Sequence, residues 1–162
     1  MWKKINNESK RLYNNCLTRK LIVTTAESCT GGMIASSIVS VSGSSNIFHS
    51  SFVTYSNKMK NKILKIPNEL INKNGAVSEI IAYNMALNVL NLIKADLSIA
   101  VTGIAGPGGG SENKPVGLVW IAVGTNKKII TKKYLFKGNR LEIRKETTLE
   151  SLKLANKIIE KS

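Results

Sequence analysis

Apolar residues recur at helical spacing at both ends of the chain and at several places between them. Residues 2–19 place Ile5 and Leu12 at loosely helical intervals, which predicts a first helix. The pattern returns after Asn139, and Glu142 three residues later is typical of a capping box at the start of a closing helix. Further helices are predicted at residues 33–42, at residues 57–66 and directly after Ser78.

Short β-branched or alternating runs predict the strands. Residues 20–25 and 96–103 are runs of the kind found in buried strands. Residues 51–56 alternate between two faces, as strands with unlike faces do. Residues 116–124 and 128–136 flank the short turn TNK, and this arrangement predicts an antiparallel hairpin.

Helices and strands alternate along most of the chain: helix, strand, helix, strand, two helices, strand, hairpin and helix. Such alternation is typical of α/β proteins, in which helices cover both faces of a sheet. We therefore predict an α/β fold with three layers, α/β/α, and a mixed, partly parallel central sheet that includes one antiparallel hairpin. The fold is predicted to occupy residues 1–162 as a single domain.

Polar loops follow three of the predicted strands, after Thr25, after Ser56 and after Thr102. Ligands of open α/β sheets bind outside the carboxyl ends of the strands, where such loops come together. The sequence therefore predicts that these three loops form a site.

The first loop, AESCTGG, places Ser28 between a strand and a helix start. Ser28 or Thr30 could simply cap the helix, as hydroxyl side chains often do. Alternatively, Ser28 is a nucleophile. Backbone amides of the turn would then hold the oxyanion that forms on the substrate, and the glycine pair would let the substrate approach the backbone. Cys29 is a second possible nucleophile, although a buried cysteine more often only packs.

A serine nucleophile needs a base, and the second loop offers one. His49 is the only histidine and has no acidic neighbour in sequence, so a histidine-based triad is not indicated. Tyr55 ends a strand and is followed by four lysines within residues 58–65. A lysine buried beside a hydroxyl can lose its proton near neutral pH, which is the basis of Ser-Lys catalysis. Most of these four lysines must nevertheless lie in solvent.

The third loop holds five glycines between Gly103 and Gly110. It matches neither the phosphate-binding loop of nucleotide hydrolases nor the dinucleotide fingerprint. Its glycines could point backbone amides at an anion, or the loop could be a flexible surface turn; composition leaves both readings open.

The net charge of +14 raises the question of nucleic-acid binding. The chain has 20 Lys but only 4 Arg, together with 17 Asn and 19 Ile, and all but arginine are encoded by A/T-rich codons. Aromatic residues amount to only 6%, and the lysines are scattered. We therefore predict no specific nucleic-acid partner, while an attraction to anionic small molecules stays open.

Other classes of protein are not indicated. No apolar run reaches the roughly 18 residues of a membrane span, and the N-terminus lacks the apolar region of a secretory signal. Two cysteines form no disulfide framework, and two cysteines with one histidine are too few for a closed zinc site. We predict a cytoplasmic protein with no membrane contact, no metal and no cofactor.

The segments TAESCTGG, FVTYSNKMK and VTGIAGPGGGSENKPVGLVW, in this order and spacing, closely resemble the CinA C-terminal domain family. The resemblance spans nearly the whole chain. It implies a hydrolase, nicotinamide-nucleotide amidase, which deamidates nicotinamide mononucleotide. It also implies a small-molecule nucleotide substrate, a homo-oligomer and a stand-alone version without the extra N-terminal domain of full-length CinA proteins.

The resemblance also implies roles for individual residues. Ser28 is the nucleophile, Lys60 is the base, and Tyr55 orients Lys60 or relays its proton, while amides between Cys29 and Gly31 hold the oxyanion. The family motif reads Gly-Asp-Arg where this chain has Asn139 before Arg140. The implied substrate-binding residues are Glu27, Cys29, Thr30, Gly31, Thr102, Gly103, Gly106 and Arg140.

Two alternatives to an amidase stay open at this point. The same cleft could belong to a non-catalytic module that binds a nucleotide and acts as a sensor or regulatory partner. A weaker alternative is association with nucleic acid through the basic surface, which would show a steep dependence on salt.

Overall fold

Six α-helices and five strands make up the computed structural model, which describes residues 1–161. A single 3-10 turn, Ser44–Asn46, precedes the second strand. The elements are, in chain order, α1 (Trp2–Arg19), β1 (Val23–Glu27), α2 (Met33–Val39), β2 (Phe48–Val53), α3 (Asn57–Leu64), α4 (Asn68–Asn74), α5 (Glu79–Ile93), β3 (Leu97–Gly103), β4 (Leu118–Thr125), β5 (Ile129–Leu135) and α6 (Arg140–Glu160).

The five strands form one mixed sheet in the order β2-β1-β3-β4-β5. β1 pairs in parallel with both β2 and β3, whereas β3 with β4 and β4 with β5 are antiparallel. The predicted α/β class, with a partly parallel sheet and one antiparallel hairpin, is confirmed. Because β1, β2 and β3 run the same way, their carboxyl ends meet at one edge of the sheet.

Helices cover both faces of the sheet. α1, α2 and α6 pack on one face, and α3, α4 and α5 pack on the other. Within β3, Ile99 and Val101 point to the first face, whereas Ala100 points to the second. Ala26 and Ala122 also face the second layer, and these small side chains let α5 pack closely on the sheet.

Several predicted boundaries shift in the structure. The first strand begins at Val23 because Lys20 closes α1 in the left-handed conformation. The second strand ends at Val53, before the predicted end, because Ser56 caps α3 by accepting a hydrogen bond from the Met59 amide at 3.2 Å. The short helix α4 was missed: it follows Pro67 directly, and proline is compatible with a helix start.

A single buried carboxylate joins β1 to α2. Glu27 is fully buried, and its Oε2 accepts hydrogen bonds from the Thr30 hydroxyl at 2.6 Å and from the Gly32 and Ile34 amides at 3.0 and 3.1 Å. Its Oε1 accepts from the Ala35 amide at 2.8 Å. Glu27 is predicted to contact the substrate, but both oxygens of its carboxylate accept hydrogen bonds from groups at the start of α2.

The capping box predicted at the start of α6 is present. The Asn139 side chain accepts hydrogen bonds from the Leu141 and Glu142 amides, each at 3.0 Å. Glu142 accepts in return from the Asn139 amide at 2.8 Å. The departure from the family's aspartate therefore keeps the capping function.

Replacing Glu27 by glutamine is expected to lower the free energy of unfolding by about 3 kcal/mol, because an amide NH2 would face backbone donors and several charge-assisted bonds would be lost. Urea unfolding of the variant measures this change. Glu69→Gln, on an exposed site in α4, is the control and should stay within about 0.5 kcal/mol of wild type. An equal effect of the two substitutions would contradict the anchoring role.

Replacing Asn139 by alanine is expected to cost about 1 kcal/mol of stability, because the amides that it caps would lose their acceptor. Asn139→Asp should match wild type or exceed it, since a carboxylate both caps the helix and complements its dipole. Thermal unfolding of the two variants in parallel distinguishes loss of the cap from any change at this position. A destabilised aspartate variant would show that the cap is not what matters here.

Candidate active site

The loops after β1, β2 and β3 enclose a small pocket at the carboxyl edge of the parallel strands. Its volume is about 220 Å³. The first loop supplies a hydroxyl, α3 supplies an amine, and β3 supplies part of the wall. The lining residues are Ser28, Cys29, Tyr55, Asn57, Lys60, Ala76, Val77, Thr102, Gly103 and Ala105.

Ser28 and Lys60 meet in this pocket. The Ser28 amide donates to the Val101 carbonyl at 3.1 Å, which fixes the turn to β3 directly beyond the end of β1. Lys60 reaches across from α3, and its Nζ lies 3.0 Å from the Ser28 Oγ. Two residues that are 32 positions apart in sequence are thus in hydrogen-bond contact.

Lys60 is the only buried lysine among the described residues, with 1% of its surface exposed. Its Nζ donates to the Thr54 carbonyl at 2.9 Å and to the Tyr55 carbonyl at 3.4 Å. Within residues 1–161, no carboxylate forms an ion pair with it. Burial lowers the pKa of the Lys60 ammonium to about 8, because a desolvated charge is disfavoured.

The remaining lysines of this helix do not share that environment. Lys58, Lys62 and Lys65 are exposed, as expected for most of the group. Within α3, Lys58 and Lys62 are four residues apart and share the exposed face, and Lys65 follows as the C-cap. Lys60 lies on the opposite face together with the buried Leu64. The structure therefore separates one amine from its neighbours by burial.

Cys29 adjoins Ser28 but lies in a different chemical environment. It is 4% exposed, and burial raises the pKa of its thiol to about 12. A side chain added at Gly103 would come within 3.1 Å of the Cys29 sulfur, so the thiol packs closely against β3. A buried thiol that stays protonated is a poor nucleophile, which favours Ser28 over Cys29.

Only some amides of the turn can receive a substrate oxygen. The Gly31 amide donates to the Ser28 carbonyl at 3.1 Å, the Met33 amide donates to the Thr30 carbonyl at 3.3 Å, and the Gly32 amide donates to Glu27. In the part of the chain that the structure describes, the Thr30 amide has no protein acceptor and the Cys29 amide contacts only its own sulfur, so these two amides remain for a substrate oxygen. The predicted oxyanion contact of Gly31 does not match its bonding.

Tyr55 lies at the rim of the pocket. Its side chain is 59% exposed, and its hydroxyl accepts a hydrogen bond from Arg140 Nη2 at 2.8 Å. Arg140 Nη1 donates to the Gly106 carbonyl at 2.7 Å, so the arginine ties the second loop to the glycine-rich loop. The Tyr55 hydroxyl thus contacts Arg140, whereas the backbone carbonyl of Tyr55 contacts Lys60.

The other residues predicted to bind substrate fall into two groups. Thr102 and Gly103 line the pocket, and the Thr102 hydroxyl donates to the Ala76 carbonyl at 2.8 Å. Thr30 is fully buried against Glu27, and Gly31, with φ of 60°, lines a separate cavity behind the turn. Gly106 contacts Arg140 and is not part of the pocket lining.

Sequence reasoning missed five residues around the site, among them Ala105 of the third loop, which lines the pocket. Asn57 follows the Tyr-Ser pair within the same motif, so its position in the motif could have identified it. Ala76 and Val77 carry no signal except their place before Ser78. Arg144 donates to the Thr30 carbonyl from Nε at 3.2 Å and from Nη2 at 2.6 Å, and its spacing of four from Arg140 on α6 could have indicated a shared face.

Two further observations concern possible metal sites and membrane spans. No group of three or more histidine, cysteine, aspartate or glutamate side chains within residues 1–161 is placed to hold a metal ion. None of the helices described is both long and apolar enough to cross a membrane.

Comparison with known proteins gives consistent results. Residues 6–159 match the CinA C-terminal domain family. A CinA-like protein of Prochlorococcus marinus (strain MIT 9215) is 50% identical over 135 residues, which make up 82% of this chain and 32% of that protein. The chain spans about a third of the length of the curated relatives that it matches.

Solved structures agree with this assignment. A CinA superfamily protein from Klebsiella pneumoniae 700603 has a TM-score of 0.94 and 28% identity, covering 98% of this chain and 99% of that chain. The competence/damage inducible protein CihA from Agrobacterium tumefaciens has a TM-score of 0.92 and 38% identity, covering 93% of each chain. The chain therefore belongs to the CinA C-terminal domain family.

Proposed function

We propose that the chain is a single-domain amidase that hydrolyses the carboxamide of nicotinamide mononucleotide to give nicotinate mononucleotide and ammonia. The observation that carries this proposal is the 3.0 Å contact between Lys60 Nζ and Ser28 Oγ, formed by a buried amine that has no carboxylate partner within residues 1–161. The family resemblance supplies the substrate, and the geometry supports the catalytic pair.

The neighbours of Lys60 suit its neutral form. A neutral amine has two N–H donors and one lone pair. The two donors can serve the carbonyls of Thr54 and Tyr55, which can only accept. In this form, which prevails above about pH 8, the lone pair is free to accept the proton of the Ser28 hydroxyl, so the two side chains are arranged as a base and its nucleophile.

Acylation follows from this arrangement. Ser28 Oγ attacks the carboxamide carbon while its proton passes to Lys60 Nζ, and the carbonyl oxygen takes the negative charge. The amides of Cys29 and Thr30 are the donors left in the turn to stabilise that oxyanion. Lys60 then gives its proton to the amide nitrogen as the C–N bond breaks, so that ammonia leaves and Lys60 is neutral again.

Deacylation repeats the same steps with water. Lys60 takes a proton from a water molecule that attacks the acyl carbon, and it returns the proton to Ser28 Oγ as the ester bond breaks. The product is the free acid, and both side chains return to their starting states.

The pocket has room for the reacting end of such a substrate. Its volume of about 220 Å³ lies below the roughly 300 Å³ at which drug-sized ligand sites begin. We propose that the pyridine ring and carboxamide enter it and that the ribose phosphate stays outside, near Tyr55 and the guanidinium of Arg140. As the resemblance implies, we also propose a cytoplasmic homo-oligomer that needs no cofactor.

Ser28→Ala and Lys60→Met are each expected to lower kcat for ammonia release by about 10³-fold or more, because the nucleophile and its base act as one unit. Ammonia release from nicotinamide mononucleotide measures the effect, and circular dichroism checks that both variants fold. Lys58→Met is the matched control on the same helix and should keep the activity of wild type.

Other outcomes of that assay would reject parts of the proposal. Full activity in Ser28→Ala together with loss in Cys29→Ala would move the nucleophile to the thiol. Saturable binding of nicotinamide mononucleotide without any ammonia, even after long incubation, would indicate the non-catalytic nucleotide-binding module instead.

The pH dependence should follow the lowered pKa of Lys60. Because the neutral amine is the active base, kcat/KM is expected to rise with pH, to reach half of its maximum near pH 8 and then to level off. Initial rates between pH 6 and pH 10 in Lys58→Met and wild type should coincide. A rate that stays constant or falls across this range would contradict a neutral Lys60 as the base.

A further inference from the structure

A second cavity, larger than the Ser28–Lys60 pocket, lies behind the turn that joins β1 to α2. Its volume is about 650 Å³, roughly three times that of the candidate active site and within the range of small-molecule sites. The start of α1, the helix α2 and the side chain of Arg144 from α6 line it, and it opens to solvent. Nothing in the proposed deamidation uses this space.

The charge of the cavity has one sign. Among the described residues, its ionisable lining residues are Lys3 and Arg144, with no aspartate or glutamate. Arg144 is half-buried, and it forms no ion pair in the part of the chain that the structure describes. A partly desolvated guanidinium without a counterion favours an anion from outside.

The guanidinium is also held in place. Its Nε and Nη2 both donate to the Thr30 carbonyl, at 3.2 and 2.6 Å. Within residues 1–161, Nη1 has no acceptor, so this nitrogen stays available to a ligand. Because the fork is fixed by one carbonyl, little conformational entropy would be lost when an anion binds to its other side.

An aromatic surface stands beside these cations. Trp2 lines the cavity and is 52% exposed, and the Lys145 Nζ lies 5.2 Å from the centre of its ring. A half-exposed tryptophan that lines a cavity offers a face on which a ligand ring can stack.

From these features we propose that the cavity binds a small aromatic phosphate, with the phosphate on Arg144 and Lys3 and the ring against Trp2. The cavity is thus a second ligand site, separate from the Ser28–Lys60 pocket. The proposal is independent of the deamidation, since it concerns binding and not turnover.

Phenyl phosphate and inorganic phosphate are the probes, titrated into the full chain by calorimetry at low salt. Phenyl phosphate is expected to bind about fivefold more tightly than inorganic phosphate, as one aromatic contact contributes. Trp2→Ala should abolish that difference and leave inorganic phosphate unchanged. Equal affinities for the two probes in wild type would refute the stacking.

Arg144→Gln should weaken both probes by about tenfold or more, because a charge-assisted contact is lost. Arg144 also supports the turn, so Lys3→Ala, at an exposed residue, provides a second test in a variant expected to fold. Lys4→Ala, next to it but outside the cavity, is the matched control and should bind as wild type does.

Two results would overturn the proposal. One is the lack of saturable binding of either probe in wild type. The other is binding that survives in Arg144→Gln and Lys3→Ala but is lost in Arg140→Gln, which would place the probe at the rim of the candidate active site.

Discussion

The proposed catalysis depends on one physical constraint: an amine must be buried deeply enough to lower its pKa while it stays within reach of a hydroxyl. Lys60 meets both requirements because α3 begins at Asn57, after only a short link from β2, and turns the side chain beneath the strand ends. The carbonyls of Thr54 and Tyr55 hold its Nζ, and Ser28 stands 3.0 Å away. Carbonyl partners orient the amine without adding the negative charge that would keep it protonated.

Glu27 contributes to this arrangement because it forms no ion pair with Lys60 among the described residues. A buried carboxylate one residue before Ser28 could form an ion pair with Lys60 and hold the amine in its charged form. Amides at the start of α2 and the Thr30 hydroxyl instead surround Glu27. The two buried ionisable side chains are therefore satisfied separately, and the same bonds that start α2 keep the base free of a counterion.

The sequence pattern predicted the architecture, the family resemblance implied Ser28 and Lys60 as the central pair, and the misplaced residues have a common physical origin. Periodicity and motif order are local signals, so they located every helix except the short α4, the hairpin and the loops that carry Ser28 and Lys60. They could not show where a side chain points once the loops pack together. Tyr55 contacts Lys60 through its backbone carbonyl while its ring turns to Arg140, and Glu27 turns into the protein; both placements depend on tertiary contacts.

The basic composition and the buried lysine have different explanations. Of the 20 lysines, Lys60 is the only one that is buried; Lys114 and Lys145 are half-buried and the others are exposed. Exposed lysines have little influence on stability, so a bias toward A/T-rich codons can accumulate them without a selected partner. Burial of an ammonium opposes folding, and a bias toward A/T-rich codons does not explain why one lysine is buried beside Ser28. Lys60 therefore stands apart from the surface charge, and its position is best explained by the chemistry that an unprotonated amine makes available.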